Sequence, residues 1–252
     1  VVLTKEMDAT ISFWMKTDTA HEATLFSNGR DLTQINSDYN KWAINMDASG
    51  KLSFVSEGTS YTLTTASLAD NAWHHVALLF NRHGQLKTYV DAQNVSSHPM
   101  DNIGGFAGSK IWLGANGYKN ALGSETIDRH FTGKIDEFQL WNTLRNVEQI
   151  SRDRFYEAAV NSIGLLLYAK MNRPEANTDA AGKLKYYSPD GNNVLVAKDA
   201  TLSSGVVSYS DDAPAVKPAR QVTKFNVTQV ISENNMILTP TITDWASVEG
   251  QV

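Results

Sequence analysis

The chain has 252 residues, of which 42% are hydrophobic and 19% charged, a length that accommodates one large β-domain or two ordinary domains. Lys and Arg number 22 against 27 Asp and Glu, for a formal charge of −5, so no basic surface stands ready for a nucleic-acid backbone. No run approaches the about 18 consecutive apolar residues of a membrane helix, the first residues lack the charged-then-apolar plan of a signal peptide, and the absence of Cys excludes disulfides, thiolate catalysis and thiolate metal sites.

Period-two alternation broken by turn residues dominates the first two thirds of the chain and predicts an all-β fold. In ATISFWMKTD, Ala9, Ile11, Phe13 and Met15 line one face of a strand, and Thr10, Ser12, Trp14 and Lys16 line the other. KWAINMDASGKLSFV predicts a hairpin: Trp42, Ile44 and Met46 share a face, Asp47 to Gly50 turn, and Leu52 and Phe54 return. Gly50 supplies the positive φ such a turn needs. WHHVALLFNRHGQLKTYVD predicts a second hairpin, with Val76, Leu78 and Phe80 on one strand, a turn from Asn81 to Gly84, and Leu86, Thr88 and Val90 on the other. KIWLGA and GKIDEFQLW are further strands. One helix is predicted from about Val147 to Ala159, with Asn146 as N-cap and Gln149 at capping-box spacing. Its narrow apolar stripe, Val147, Ile150, Phe155 and Ala158, places it on the outside of a sandwich. GLLLYAKMN and VLVAKDATLSSGVVSY resume β-type sequence, and DDAPAVKPAR, with two of the six Pro residues, reads as a linker. The remainder reads as two strands around a Ser232 to Asn235 turn, either docked on the sandwich or leading a further module. A start at Val1, directly before a strand and without an initiator Met, reads as a fragment of a longer polypeptide.

Four stretches in this order, ATISFWMKTD, WHHVALLF with GQLKTYVD, KIWLGA and FTGKIDEFQLWNTLRNVEQI, resemble the laminin G-like, pentraxin-like jelly roll of the concanavalin A-like superfamily, in the form common in large bacterial surface proteins. The match covers roughly residues 1 to 157. The resemblance implies a two-sheet antiparallel jelly-roll sandwich with one short peripheral helix, followed by a C-terminal β-hairpin. On this reading residues 1–212 form the sandwich, with 164–210 completing or flanking its sheets; 213–221 are the linker and 222–252 the hairpin. Two departures stand out. Family members usually carry Asp-Gly after the Tyr-Val strand, whereas Ala92 follows Asp91 here, which predicts a different loop from Asp91 to Val95. The chain also begins too late to hold most of the family's upstream strand and acidic loop.

Glycosidases occur on this superfamily's fold and need two carboxylates about 5 to 9 Å apart on one face. Asp136 and Glu137 are adjacent in a strand, so alternation sends them to opposite faces; one is expected to make a structural hydrogen bond and the other to be solvated. There is no Gly-x-Ser-x-Gly, His-Glu-x-x-His or phosphate loop. His74 and His75 face opposite ways and cannot jointly grip a metal. Trp42 and Trp73 are expected in the core, while Trp14 and Trp141 lie opposite their strands' apolar residues and are either covered by the helix or C-terminal segment or exposed. Sugar recognition combines aromatic rings with planar polar groups, and two loop regions are rich in both. The ligand-binding candidates are Tyr39, Asn116, Tyr118, Asn120, Arg129 and His130. Calcium is the ion the resemblance implies, with oxygen ligands from Asp31, Asp38 and Asp128. The expected function is a non-catalytic recognition module of a large secreted or cell-surface protein, continuous with neighbouring domains and binding a glycan or an extracellular protein. A structural spacer module of a multidomain adhesin is the alternative, and a glycoside hydrolase a third.

Overall fold

The structure, a computed structural model, describes residues 6–28, 30–31, 41–101, 103–105, 111–119, 121–159, 162–171, 183–187, 194–201, 212–217, 221–232 and 235–246. The first strands are β1 (Ala9–Lys16), β2 (Ala23–Ser27), β3 (Arg30–Asp31), β4 (Trp42–Met46), β5 (Leu52–Ser56) and β6 (Thr59–Thr62). A meander of β7 (His74–Phe80), β8 (Gln85–Val90) and β9 (Gln93–Pro99) precedes three short strands, β10 (Trp112–Leu113), β11 (Asn116–Lys119) and β12 (Glu125–Asp128). β13 (Lys134–Trp141) leads into α1 (Val147–Asp153), after which come β14 (Leu165–Ala169), β15 (Lys183–Tyr187), β16 (Val194–Thr201), β17 (Gln221–Ser232) and β18 (Asn235–Ala246).

Two antiparallel sheets make the sandwich, one of order β14-β13-β1-β7-β8-β9 and one of order β10-β2-β4-β5-β6. Alternation fills the space between them as the sequence predicts. Ile11, Phe13 and Met15 from β1 meet Phe26, Ile44, Phe54, Phe80 and Phe138 in one core, and the Phe26 ring sits 4.6 Å from both Phe13 and Phe138. Gly50 turns the β4–β5 hairpin at φ 78°. The fold is therefore all-β, a jelly-roll sandwich with one short helix among the described residues. β17 and β18 pair as a hairpin with Ser232 opposite Asn235.

The turn after β8 differs from expectation. Val90 pairs with Gln93, so Asp91 and Ala92 alone make the turn, at φ 51° and 66°, the two positive values of a type I′ hairpin. Tertiary bonds supply what glycine would have supplied. The Asp91 Oδ1 accepts from the His75 backbone N–H at 3.1 Å, Oδ2 pairs with His74 Nδ1 at 2.9 Å, and the Asp91 carbonyl accepts from Arg154 Nη1 at 3.0 Å.

The helix is shorter than its apolar stripe suggests. Its capping box is present, with Asn146 accepting from the Gln149 backbone and the Gln149 side chain accepting from the Asn146 backbone. The chain leaves the helix after Asp153, because Glu157 N–H donates to the Lys217 carbonyl and Lys217 N–H to the Phe155 carbonyl, both at 2.8 Å. These strand-like bonds hold 155–157 against the 212–217 segment, a stretch read from composition as linker. Val147 and Phe155 are exposed, so the buried stripe reduces to Ile150 and, beyond the helix, Ala158.

The outer face of the β13-β1-β7 region is a second, smaller interior. Ile150 packs on Ala77, Leu79 and Tyr89, and Ala158 packs on Trp141 and Tyr168. Trp141 is thereby buried, and Trp14, packed edge-on against His75, is buried as well. Trp73, expected in the core, instead stands half-buried at the sheet end, where its Nε1 donates to Asp212 Oδ1 at 3.0 Å.

Candidate functional site

The two loop regions rich in polar and aromatic residues meet. β11 and β12 form a hairpin in which Asn116 pairs with Asp128 and Tyr118 with Thr126, and β3 adds in parallel so that Arg30 pairs with Tyr118 and Asp31 with Lys119. The region between Ala115 and His130 thus holds a strand pair, β11 with β12. Cross-strand partners share a face and alternate residues do too, so Asn116, Tyr118, Thr126 and Asp128 lie together on one side. The other side, at Gly117, rests against the Trp112 ring, and a Cβ at that position would overlap the ring at both Trp112 Cδ2 and Cε2. Glycine here allows the small sheet to seat on the sandwich.

All four residues on the free side are half-buried. Asn116 Nδ2 donates to Asp128 Oδ1 at 2.9 Å, which fixes both planar groups beside the Tyr118 ring. Arg129 follows in a left-handed conformation, φ 50°, and its Nη2 turns away to Glu22 Oε2 at 2.7 Å. His130 is exposed, and its carbonyl bonds His21 Nε2 at 2.9 Å. Glu22 and His21 carry no signal in the sequence, since they lie more than 100 positions away. Tyr39, Asn120 and Asp38 lie outside the described residues. Among the expected calcium ligands, Asp128 is bonded to Asn116, and the Asp31 backbone pairs in register with Lys119. Among the described residues no three His, Cys, Asp or Glu side chains gather into a cation site.

The acidic pair of β13 departs from the sequence expectation. Ser12 pairs with Gln139 and Trp14 with Asp136, leaving Glu137 and Phe138 opposite Phe13 in a β-bulge. Glu137 takes φ 51°, alternation breaks, and both carboxyls turn to the covered outer side. Neither is solvated: Asp136 is 9% exposed and Glu137 6%. Burial pushes Glu137 up to about 8, with Asp136 nearby adding to the rise and the Tyr168 hydroxyl, which donates to Glu137 Oε2, opposing it. Burial raises Asp136 to about 6. The neighbouring His75, 2% exposed, is pushed down to about 3, chiefly by burial and also by Arg154. His74 on the same strand is held between Asp91 and Asp70, which raise its pKa.

A comparison with curated proteins finds no match. Among solved structures, a Bacteroides ovatus protein named for a proposed carbohydrate binding role is similar at 21% identity and TM-score 0.54, over 77% of this chain and 55% of that one. A heptameric SAP-like pentraxin of Limulus polyphemus aligns at 14% identity and TM-score 0.43, over 64% of this chain and 74% of its own. The CBM40 domain of the Ruminococcus gnavus IT-sialidase aligns at 19% identity and TM-score 0.43, over 58% and 83%. The chain thus spans little more than half the length of the Bacteroides protein, and that likeness shows the shared fold. A laminin G-type family model matches residues 1–151, the span that holds both sheets up to β13 and the hairpin with its four-residue face. The chain belongs to the concanavalin A-like lectin/glucanases superfamily.

Proposed function

We propose that this chain is a glycan-binding module that works without turnover, outside the cell or at its surface, as part of a larger protein. The observation that carries this reading is the shared face of Asn116, Tyr118, Thr126 and Asp128 on the β3-β11-β12 sheet. It joins an aromatic ring to fixed planar donors and acceptors, the combination that recognises a pyranose. Membership of a lectin and glucanase superfamily supports it, and carbohydrate binding is the role for which the Bacteroides neighbour is named. Turnover is disfavoured because the paired carboxyls Asp136 and Glu137 are buried where no polysaccharide reaches them. No helix among the described residues is long and apolar enough to cross a membrane.

A glycan array read with wild type and Tyr118→Ala, each with and without EDTA, tests the reading. Binding to at least one glycan, at least tenfold weaker in Tyr118→Ala and indifferent to EDTA, is expected. No binding to any glycan favours the spacer role, Tyr118→Ala binding like wild type moves the site elsewhere, and release of reducing sugar from a polysaccharide overturns the assignment as a non-enzyme.

A further inference from the structure

Three side chains at one end of the six-stranded sheet converge on a single carboxylate. Lys16 closes β1 and Lys134 opens β13, and the two are direct cross-strand partners. Met15 pairs with His74, so one step further along the register Trp73 stands on the other side of Lys16. Like charges placed directly opposite each other destabilise a sheet unless an anion lies between them. Here the anion is Asp212, from the segment after the sandwich. Its Oδ2 lies 2.8 Å from Lys16 Nζ and 2.6 Å from Lys134 Nζ, and its Oδ1 accepts from Trp73 Nε1 at 3.0 Å. These partners, Lys134 first, hold the Asp212 carboxyl well below the usual carboxylate range. The side chains of Lys16, Lys134 and Asp212 are 20%, 37% and 40% exposed, so the donors face water and an exchange of one carboxylate for another needs no opening of the core.

We propose that Lys16, Trp73 and Lys134 form a carboxylate receptor, occupied in cis by Asp212, that takes the carboxylate of an acidic sugar when the Asp212 side chain swings out. Two ammonium groups and an indole N–H saturate both oxygens of one carboxylate, and the half-buried indole ring beside them offers apolar surface to a pyranose. The choice of a sugar acid over another carboxylate rests on the glycan reading above, whereas the receptor itself is separate from the Tyr118 face. Asp212 is tethered close to its receptor by the bonds of Lys217 to Phe155 and Glu157. A tethered ligand competes at an effective concentration in the millimolar range, so the wild-type chain should resist a free sugar acid.

The test is the indole N–H resonance of Trp73, assigned with Trp73→Phe, in the full chain titrated with glucuronate, glucose and acetate. In Asp212→Ala, and in the near-isosteric Asp212→Asn as a parallel variant, glucuronate should shift the resonance saturably, at least tenfold more tightly than in wild type, while glucose leaves it unmoved. Adding Lys16→Gln or Lys134→Gln should remove the response, and Tyr118→Ala should leave it intact. An indole unmoved by glucuronate in both Asp212 variants overturns the receptor, as does a wild-type affinity equal to theirs. Acetate binding as tightly as glucuronate, or glucose shifting the resonance equally, overturns the sugar assignment. Loss of the response in Tyr118→Ala would mean that the shift reports the other face and would likewise overturn the receptor.

Discussion

Asp153→Ala should be among the most damaging single substitutions in the sandwich. Arg145 grips Asp153 with two nitrogens: Nε reaches Oδ2 at 3.0 Å, and Nη2 reaches Oδ2 at 2.7 Å and Oδ1 at 2.9 Å. Their side chains are 8% and 4% exposed, and the guanidinium also lies 4.0 Å over the Trp141 ring. Truncating Asp153 leaves a guanidinium that has lost water and has no counter-charge, which costs roughly 3–5 kcal/mol. Arg152, 57% exposed, also reaches Asp153, at 3.2 Å, but a pair open to solvent contributes about 1 kcal/mol at most, so Arg152→Ala is the built-in control. The double substitution Arg145→Met with Asp153→Leu removes both charges and keeps the volume, and such replacements are close to neutral. It should therefore recover most of the loss. Urea unfolding of wild type, Arg145→Met, Asp153→Leu and the double variant closes the cycle. If Asp153→Ala changes stability by less than about 1 kcal/mol, or the double variant is as unstable as the two single losses added, the burial argument is wrong.

Ala92→Gly should stabilise the chain: an L-residue in the left-handed region costs roughly 1–2 kcal/mol, against about 0.4–1 kcal/mol for the extra freedom of glycine in the unfolded state. A net gain of about 0.5 kcal/mol raises the melting temperature by about 1–2 °C, and a fall would show that the half-buried Ala92 methyl matters more than its φ. Gly117→Ala should push the hairpin off Trp112, costing about 1–3 kcal/mol and weakening glycan binding with it; thermal melting and the same array check both, and unchanged binding would detach the Tyr118 face from its seat. Stability should fall as pH rises above about 6.5, followed by urea midpoints across pH; below that, Asp136, raised to about 6, and His75 act in opposite directions. Glu137 has its pKa raised from 4.5 to about 8, so its contribution is fully present below about 4.5 and is lost as pH rises through about 8; His74, also raised, adds to that decline. His75, lowered from 6.5 to about 3, withdraws stability as pH falls through that interval. Glu137→Gln should flatten the alkaline side, and midpoints running parallel to wild type from pH 5 to 8 would contradict a buried, protonated Glu137.

The inward face was legible because period-two burial is written locally: Ile11, Phe13, Met15, Ile44, Phe54, Val76 and Leu78 each follow from the next residue but one. The capping box at Asn146 was legible for the same reason. What failed depended on contacts distant in sequence. A bulge is one extra residue, and nothing in KIDEFQLW announces that Glu137 will turn left-handed; once it does, the inference that Asp136 and Glu137 point apart no longer holds. Ala92 sits in a turn that local propensity disfavours because Asp91 is tied to His74, His75 and Arg154. In the candidate site, residue type and a shared loop region point to Asn116, Tyr118 and Asp128, and their common face appears only with the hairpin register. Lys16, Trp73, Lys134 and Asp212 were invisible as a group because three strand ends and a tail meet there.

The connection from β12 to β13 bears on the glycan site proposed at the Tyr118 face. Residues 129–133 cross the end of the sandwich, and almost every step is tied to it. Thr24 N–H donates to the Arg129 carbonyl at 2.8 Å and Phe131 N–H to the Gly114 carbonyl at 2.8 Å. The Thr17 hydroxyl donates to the Thr132 carbonyl at 2.7 Å, and His21 meets the His130 carbonyl. Gly114 N–H in turn donates to Leu25 at 2.7 Å, so the hairpin enters and leaves through positions anchored on β2. A loop free to move would spend binding energy on its own ordering, about 0.5–1.5 kcal/mol for each side chain immobilised. Here the backbone is held by strand pairing and Asn116 by Asp128 before any ligand arrives, so the face presents an already ordered surface. Affinity should then depend on the few groups that touch the sugar, which is why Tyr118→Ala, and not a change in the surrounding strands, is the decisive substitution.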